Sequence, residues 1–254
     1  KWCYQTCNYK VIIKSFIILS LFLSLFLAHQ VEDPPKWKKY YRGTFIGEAD
    51  EYGYGGYLRI KRTTRYTFKD LRVFMHFIGS DSFKKIRYKD SSKFRDFNRF
   101  YNYGTVSIDQ NSKVGIDMRY HGNQGFGMFV KDSDNGHVNA ELGMAYDISD
   151  YLNDSRKTSY LKTGLYWDQD FKDFEIKLEL EHYNQISDII ENSNLSRFEM
   201  LLELYWPIYE NWSIVLGYET EQFEYSNNST NSSKYISISY HDFFNIRKIS
   251  KKLF

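Results

Sequence analysis

Asp173-Phe174-Glu175-Ile176-Lys177-Leu178-Glu179-Leu180-Glu181 decides the fold class of this chain. Phe174, Ile176, Leu178 and Leu180 occupy every second place, and a charged residue fills each place between them. Successive side chains of a β-strand point to opposite faces, so this alternation makes one apolar and one charged face. A helix built from the same residues would scatter the charges through its apolar stripe. The period recurs in Val138, Ala140, Leu142, Met144 and Tyr146, and again in Phe198, Met200, Leu202, Leu204 and Trp206. Trp212, Ile214, Leu216 and Tyr218 form another such face, followed by Ile236, Ile238, Tyr240 and Phe244. Ile116, Met118 and Tyr120 continue in phase to Phe126, Met128 and Val130 across the small-residue run 121–125. No comparable helical period follows residue 30, and the fold class is all-β.

The links between these segments alternate in length. Reading back from Phe244, residues 226–233 are long, 207–210 short, 184–194 long, 168–171 short, 148–157 long and 132–135 short. Residues 110–115 continue the long set and 95–98 the short one. Short turns at one end and longer loops at the other characterise antiparallel up-and-down transmembrane barrels of the outer membrane. Weaker strands fall near 82–94, 69–78, 54–66 and 40–48, which predicts twelve strands within 40–244, with ten as the alternative. The N-terminal third is the harder part to phase, because Phe74 and His76 share one face while Val73 and Met75 share the other.

Composition agrees with a barrel. The 254 residues are 42% hydrophobic, 26% charged and 19% aromatic, with 20 Phe and 23 Tyr but only 3 Pro, which excludes disorder and collagen-like sequence. A mean hydropathy of −0.57 leaves no room for several apolar helices of about 20 residues. The net charge of +2, from 34 Lys and Arg against 32 Asp and Glu, gives no basic footprint for nucleic acid. Lys10 and Lys14 precede the uncharged apolar run Ser15–Ala28, which reads as a signal peptide over residues 1–28, with an uncleaved anchor as the rival. Both cysteines, Cys3 and Cys7, precede that run, so the exported chain would carry no disulfide or thiol chemistry. Residues 29–39 then form a periplasmic N-terminal segment, and 245–254 a basic C-terminal tail. Aromatics gather near strand ends, and Tyr166, Trp167, Tyr205, Trp206, Trp212 and Phe244 are expected in a girdle at the lipid headgroups. The last strand, Tyr235–Phe244, matches the C-terminal signal read by the barrel-assembly machinery.

The strand start Gly115-Ile116-Asp117, the glycine-punctuated run to Val130, and the Asn135-Gly136 turn into Ala140–Tyr146 carry a family likeness. Over about residues 98–244 the chain resembles the uncharacterised family of salt-induced outer-membrane barrel proteins of Gram-negative bacteria. The resemblance implies an outer-membrane location and brings no catalytic residue with it.

Candidate chemistry is sparse. His76, His121, His137, His182 and His241 are spread over five strands with no pair at metal-ligand spacing, and they read as polar lumen residues. His121 opens His-Gly-Asn-Gln-Gly without a serine close behind, so the histidine–serine pair of an outer-membrane phospholipase lacks its nucleophile. Gly125-Phe126-Gly127 lies inside an alternating strand rather than before a helix, which rules out a phosphate cradle. No metal, cofactor or catalytic set is assigned, and the chain reads as a non-enzyme.

The charged face carries the functional signal. With the apolar face on lipid, the lumen receives Glu141, Asp147, Glu175, Glu179, Glu181, Glu199, Glu203, Glu219 and Glu221, with Lys162, Lys177 and Arg197 among them. Arg59, Lys61, Arg65 and Arg72 stand on the N-terminal strands. Two outcomes stay open: opposed acidic and basic walls that set a transverse field in a narrow pore, or interior ion pairs that plug the barrel. The expected role is structural, linked to envelope stress, or that of a narrow pore, with lipid and small ions as partners. The alternatives are a lipid-modifying barrel with its active site on the outer loops, and an exported soluble barrel holding an apolar ligand.

Overall fold

The computed structural model describes residues 37–48, 51–150, 156–189, 194–224 and 230–244. The expected signal peptide, the start of the expected periplasmic segment and the basic tail lie outside them. Twelve antiparallel strands form a closed barrel: β1 (Trp37–Glu48), β2 (Glu51–Thr63), β3 (Thr67–Ile78), β4 (Asp81–Lys93), β5 (Phe100–Asn111), β6 (Ile116–Ser133), β7 (Gly136–Ser149), β8 (Arg156–Asp170), β9 (Glu175–Gln185), β10 (Arg197–Tyr209), β11 (Trp212–Phe223) and β12 (Thr230–Phe244). Each strand pairs with its neighbours in sequence, and β1 closes on β12 from Trp37↔Phe244 to Gly47↔Lys234. The twelve-strand expectation holds over ten, and β1 begins at Trp37 rather than at residue 40.

Alternation becomes inside and outside. Val106, Phe126, Leu142, Leu216 and Ile238 point outward and are exposed, whereas Arg59, Asp70, Glu141, Lys162 and Arg197 point inward and are buried. This inverts the arrangement of a water-soluble barrel with an apolar interior, so the soluble apolar-ligand alternative does not fit the described strands.

Ile116 corrects the sequence reading. It was expected on the outer face with Met118 and Tyr120, but it is 1% exposed and faces inward. The β5–β6 register shifts between Asp109 and Asn111: Asp109 pairs with Arg119, yet Asn111 pairs with Ile116. Two steps on β5 therefore match three on β6, and one unmatched step turns the following side chains to the opposite face. A short 3-10 turn, Ser112–Val114, ends at Gly115 with φ +70°, a left-handed backbone that glycine adopts without strain.

Link lengths keep their asymmetry only in part. At the end holding Trp37 and Phe244, the connections span 64–66, 94–99, 134–135, 171–174 and 210–211. The opposite end carries the longer links 150–155, 186–196 and 224–229, but β1–β2 and β3–β4 also turn tightly there. The short turns at 171–174 and 210–211 fall about three residues later than expected, because β8 and β10 run on to Asp170 and Tyr209.

Gly217 shows how the interior shapes the backbone choice. It faces inward on β11, and a Cβ there would lie 2.0 Å from Cζ of Tyr235, whose ring covers it. Tyr235 donates its hydroxyl hydrogen bond to Glu203 at 2.7 Å, so the ring has a second reason to stay. Gly217→Ala is expected to displace that ring and cost about 1–3 kcal/mol, the usual cost of overpacking. The check is the midpoint of denaturant unfolding followed by the heat-modifiable gel shift; an unchanged midpoint would contradict the packing.

Candidate functional site

The inner wall is where this chain concentrates its chemistry. On β3 and β4 the alternation turns Arg72, Lys85, Arg87 and Lys89 inward, and on β9–β11 it turns Glu179, Glu181, Glu199, Glu219 and Glu221 toward them. The barrel is narrow enough for the two walls to touch. Arg72 reaches Glu179 at 3.0 Å, Arg87 reaches Glu181 at 3.0 Å, and Lys85 stands 3.8 Å from Glu199.

These contacts join into a ladder of alternating charge. Arg59 and Arg72 both bind Asp70, at 2.8 and 2.7 Å. Arg72 passes to Glu179, Arg87 lies between Glu179 and Glu181, and Lys162 bridges Glu181 at 3.3 Å to Glu141 at 2.8 Å. Lys89 returns from β4 to Glu141 at 2.5 Å. Tyrosines cap the remaining carboxylate lone pairs: Tyr101 donates to Glu141 at 3.0 Å, Tyr183 to Glu181 at 2.9 Å, and Tyr166 also donates to Glu181. A second group ties Arg119 to Asp109 and Glu221, and Arg197 to Asp147 and Glu199, with His121 on the other Asp147 oxygen. A third holds Arg42 against Glu203 and Tyr205, with the guanidinium also 4.2 Å over the Tyr57 ring.

Burial shows what this does to the lumen. Lys162 and Asp70 are each 1% exposed and Arg197 2%, so water does not reach them along a channel. Charges removed from water are tolerated only when paired and hydrogen-bonded, and here each has several partners. The lumen is closed at mid-height by side chains. Above that closure, toward the end with the longer loops, a cavity of about 430 Å³ opens to solvent. Its floor is Arg72, Arg87, Glu179 and Glu181, and its upper wall adds Phe74, Phe83, Lys85, Glu199 and Glu219. We call this cavity the vestibule.

Each residue singled out from the sequence has a definite place. Glu179, Glu181, Arg197, Glu203 and Arg59 are buried inside, while Glu199 and Glu219 border the vestibule. Lys177 lies inside against Glu179 at 2.8 Å. Lys61 and Glu175 face inward at the short-turn end, where Lys61 sits 5.4 Å over the Tyr40 ring. Trp206 and Trp212 point outward and are exposed, Trp167 is half-buried, and Phe244 stacks on Trp37 at 6.4 Å. All four stand at the short-turn end. Tyr166 and Tyr205 correct the girdle expectation, because both are buried in the lumen on Glu181 and Glu203. Each precedes its tryptophan by one residue, so strand alternation puts them on the opposite face. His182 is also not in the lumen: it lies on the outer side of β9 and meets Glu224 at 2.9 Å.

Lys85, Arg87 and Lys89 were not singled out from the sequence, although they supply much of the basic wall. Their strand, Asp81–Lys93, carries Lys84 and Asp90 on the outer face as well, so no clean alternation marked them. Glu141 is expected to be the least replaceable carboxylate. Glu141→Leu leaves Lys89 and Lys162 buried without it, and removing one partner of a buried pair costs about 3–5 kcal/mol. Thermal unfolding of the variant in detergent checks this, and a loss below about 1 kcal/mol would show the ladder to be dispensable there.

No family model matches this chain, and no curated protein matches it either. Solved structures do match. One described as the NanC porin aligns with a TM-score of 0.53 at 10% identity, covering 80% of this chain and 98% of its own. An outer-membrane channel from Pseudomonas putida F1 aligns with a TM-score of 0.50 at 7% identity, covering 85% and 98%. At such identities the likeness extends to the fold alone: this chain is a closed twelve-stranded barrel similar to those of a porin and an outer-membrane channel.

Proposed function

We propose that this chain is an outer-membrane barrel acting as a narrow pore, with its lumen constricted by the ion-pair ladder between β3–β4 and β9. The observation that carries the proposal is the sorting of side chains. An outer face rich in exposed apolar side chains, with Phe126 65% exposed and Leu142 56%, is unfavourable in water and suits hydrocarbon. Strands of 11 to 18 residues are long enough to cross a bilayer when tilted. Closure of β1 on β12 meets the demand that no ladder donor be left unpaired in lipid. Outward tryptophans at the short-turn rim, and the Phe45–Tyr52 and Tyr54–Phe77 ring pairs at the other, suit two headgroup zones about one bilayer apart. Export by the leader and assembly through the terminal strand belong to this reading, as does a link to envelope stress suggested by the family resemblance.

A pore closed by salt bridges conducts when they rearrange, so small and intermittent currents are expected rather than the steady flow of an open diffusion channel. The test is planar-bilayer recording of the refolded chain beside a variant with Arg72→Ala and Glu179→Ala. That double change removes a pair together; Asp70 keeps Arg59 and Arg87 keeps Glu181, while Lys177 loses Glu179. Small steps in the parent chain and larger ones in the variant are expected. Large steady currents in the parent chain would overturn the constriction, and membrane insertion without current in either would overturn the pore role.

A further inference from the structure

The vestibule has three chemically different walls. Donors stand on β4 and β6: Lys85 and Arg119. Carboxylates stand on β10 and β11. Glu219, whose side chain is 28% exposed, holds His76 at 3.2 Å and Ser233 at 3.0 Å. Glu199 stands 3.8 Å from Lys85 beside the cavity, the longest interior ion pair among the described residues. Phe74, Ile78 and Phe83 supply an apolar wall on the inner side of β3 and β4, where the rest of the described lumen is mostly polar.

We propose that the vestibule binds a zwitterion carrying a large apolar group, an amino acid with an aromatic side chain or a short peptide ending in one. The ligand carboxylate meets Lys85, its ammonium meets Glu199 and Glu219, and its ring lies against Phe74 and Phe83. A plain anion does not fit, since carboxylates outnumber lysines and arginines along the cavity walls. A plain cation meets Lys85 and Arg119 on the cavity wall, whose like charges repel it. The long Lys85–Glu199 pair parts to admit the ligand's carboxylate on one side and its ammonium on the other, and a cavity of about 430 Å³ lies within the usual range for small-molecule sites. The ladder beneath stops the ligand, so binding and passage are separate events.

This inference rests on the pore reading only for the side from which the ligand enters, and its test needs no conduction. The chain folded in detergent micelles is titrated calorimetrically with four probes. L-phenylalanine has all three features, L-phenylalaninamide lacks the carboxylate, 3-phenylpropanoate lacks the ammonium, and glycine lacks the ring. Saturable binding of L-phenylalanine is expected, with each of the other three at least about tenfold weaker. Glu219→Gln and Phe83→Ala should each weaken phenylalanine by at least about tenfold while keeping the heat-modifiable folded band. Lys85→Gln is the companion variant should either of those fail to fold. Equal binding of the amide, binding indifferent to the substitutions that fold, or no saturable binding of any probe would overturn the assignment. A non-conducting barrel that binds phenylalanine would sink the pore reading alone.

Discussion

Everything in this molecule follows from closing a sheet on itself. A strand edge left open in hydrocarbon exposes donors and acceptors that lipid cannot satisfy, so the ladder must run full circle. The β1–β12 pairing, in register from Trp37↔Phe244 to Gly47↔Lys234, completes it. Closure also fixes which half of each strand's residues faces outward and which half faces a confined interior.

The interior then sets its own demand. Strands rich in Lys, Arg, Glu and Asp turn those groups into a space narrow enough for β3 to touch β9, as Arg72 and Glu179 do at 3.0 Å. Charges in such a place are stable only as a connected set. The ladder from Arg59 through Asp70, Arg72, Glu179, Arg87, Glu181, Lys162 and Glu141 to Lys89 is that set. Its mutual neutralisation replaces the free transverse field of an open pore with a closure. Above it Lys85 and Glu199 stand 3.8 Å apart and the walls open into the vestibule.

Sequence reading was strongest where one face was uniformly apolar. β7, β9 and β10 could be phased residue by residue, because the outward row, Leu178 and Leu180 among it, is apolar while the residues between are charged or polar. It was weakest on β4, where Lys84 and Asp90 stand outside near the strand ends and Lys85, Arg87 and Lys89 inside. It also failed at Ile116, because a register shift leaves no mark in the pattern of one strand alone. Tyr166 and Tyr205 were drawn into the girdle by adjacency to Trp167 and Trp206, although period two already placed them inside.

The amino-acid sequence by itself determined the all-β class, the order of the strands and the division of side chains between two environments. These depend on local periodicity and on turns between neighbours in the chain. Only the tertiary structure decided whether the lumen was open. That depends on whether Arg72 meets Glu179, or Arg42 meets Glu203, across more than a hundred residues of chain. Such meetings are set by the circumference of the closed barrel and by the shear between its strands, quantities no single strand carries.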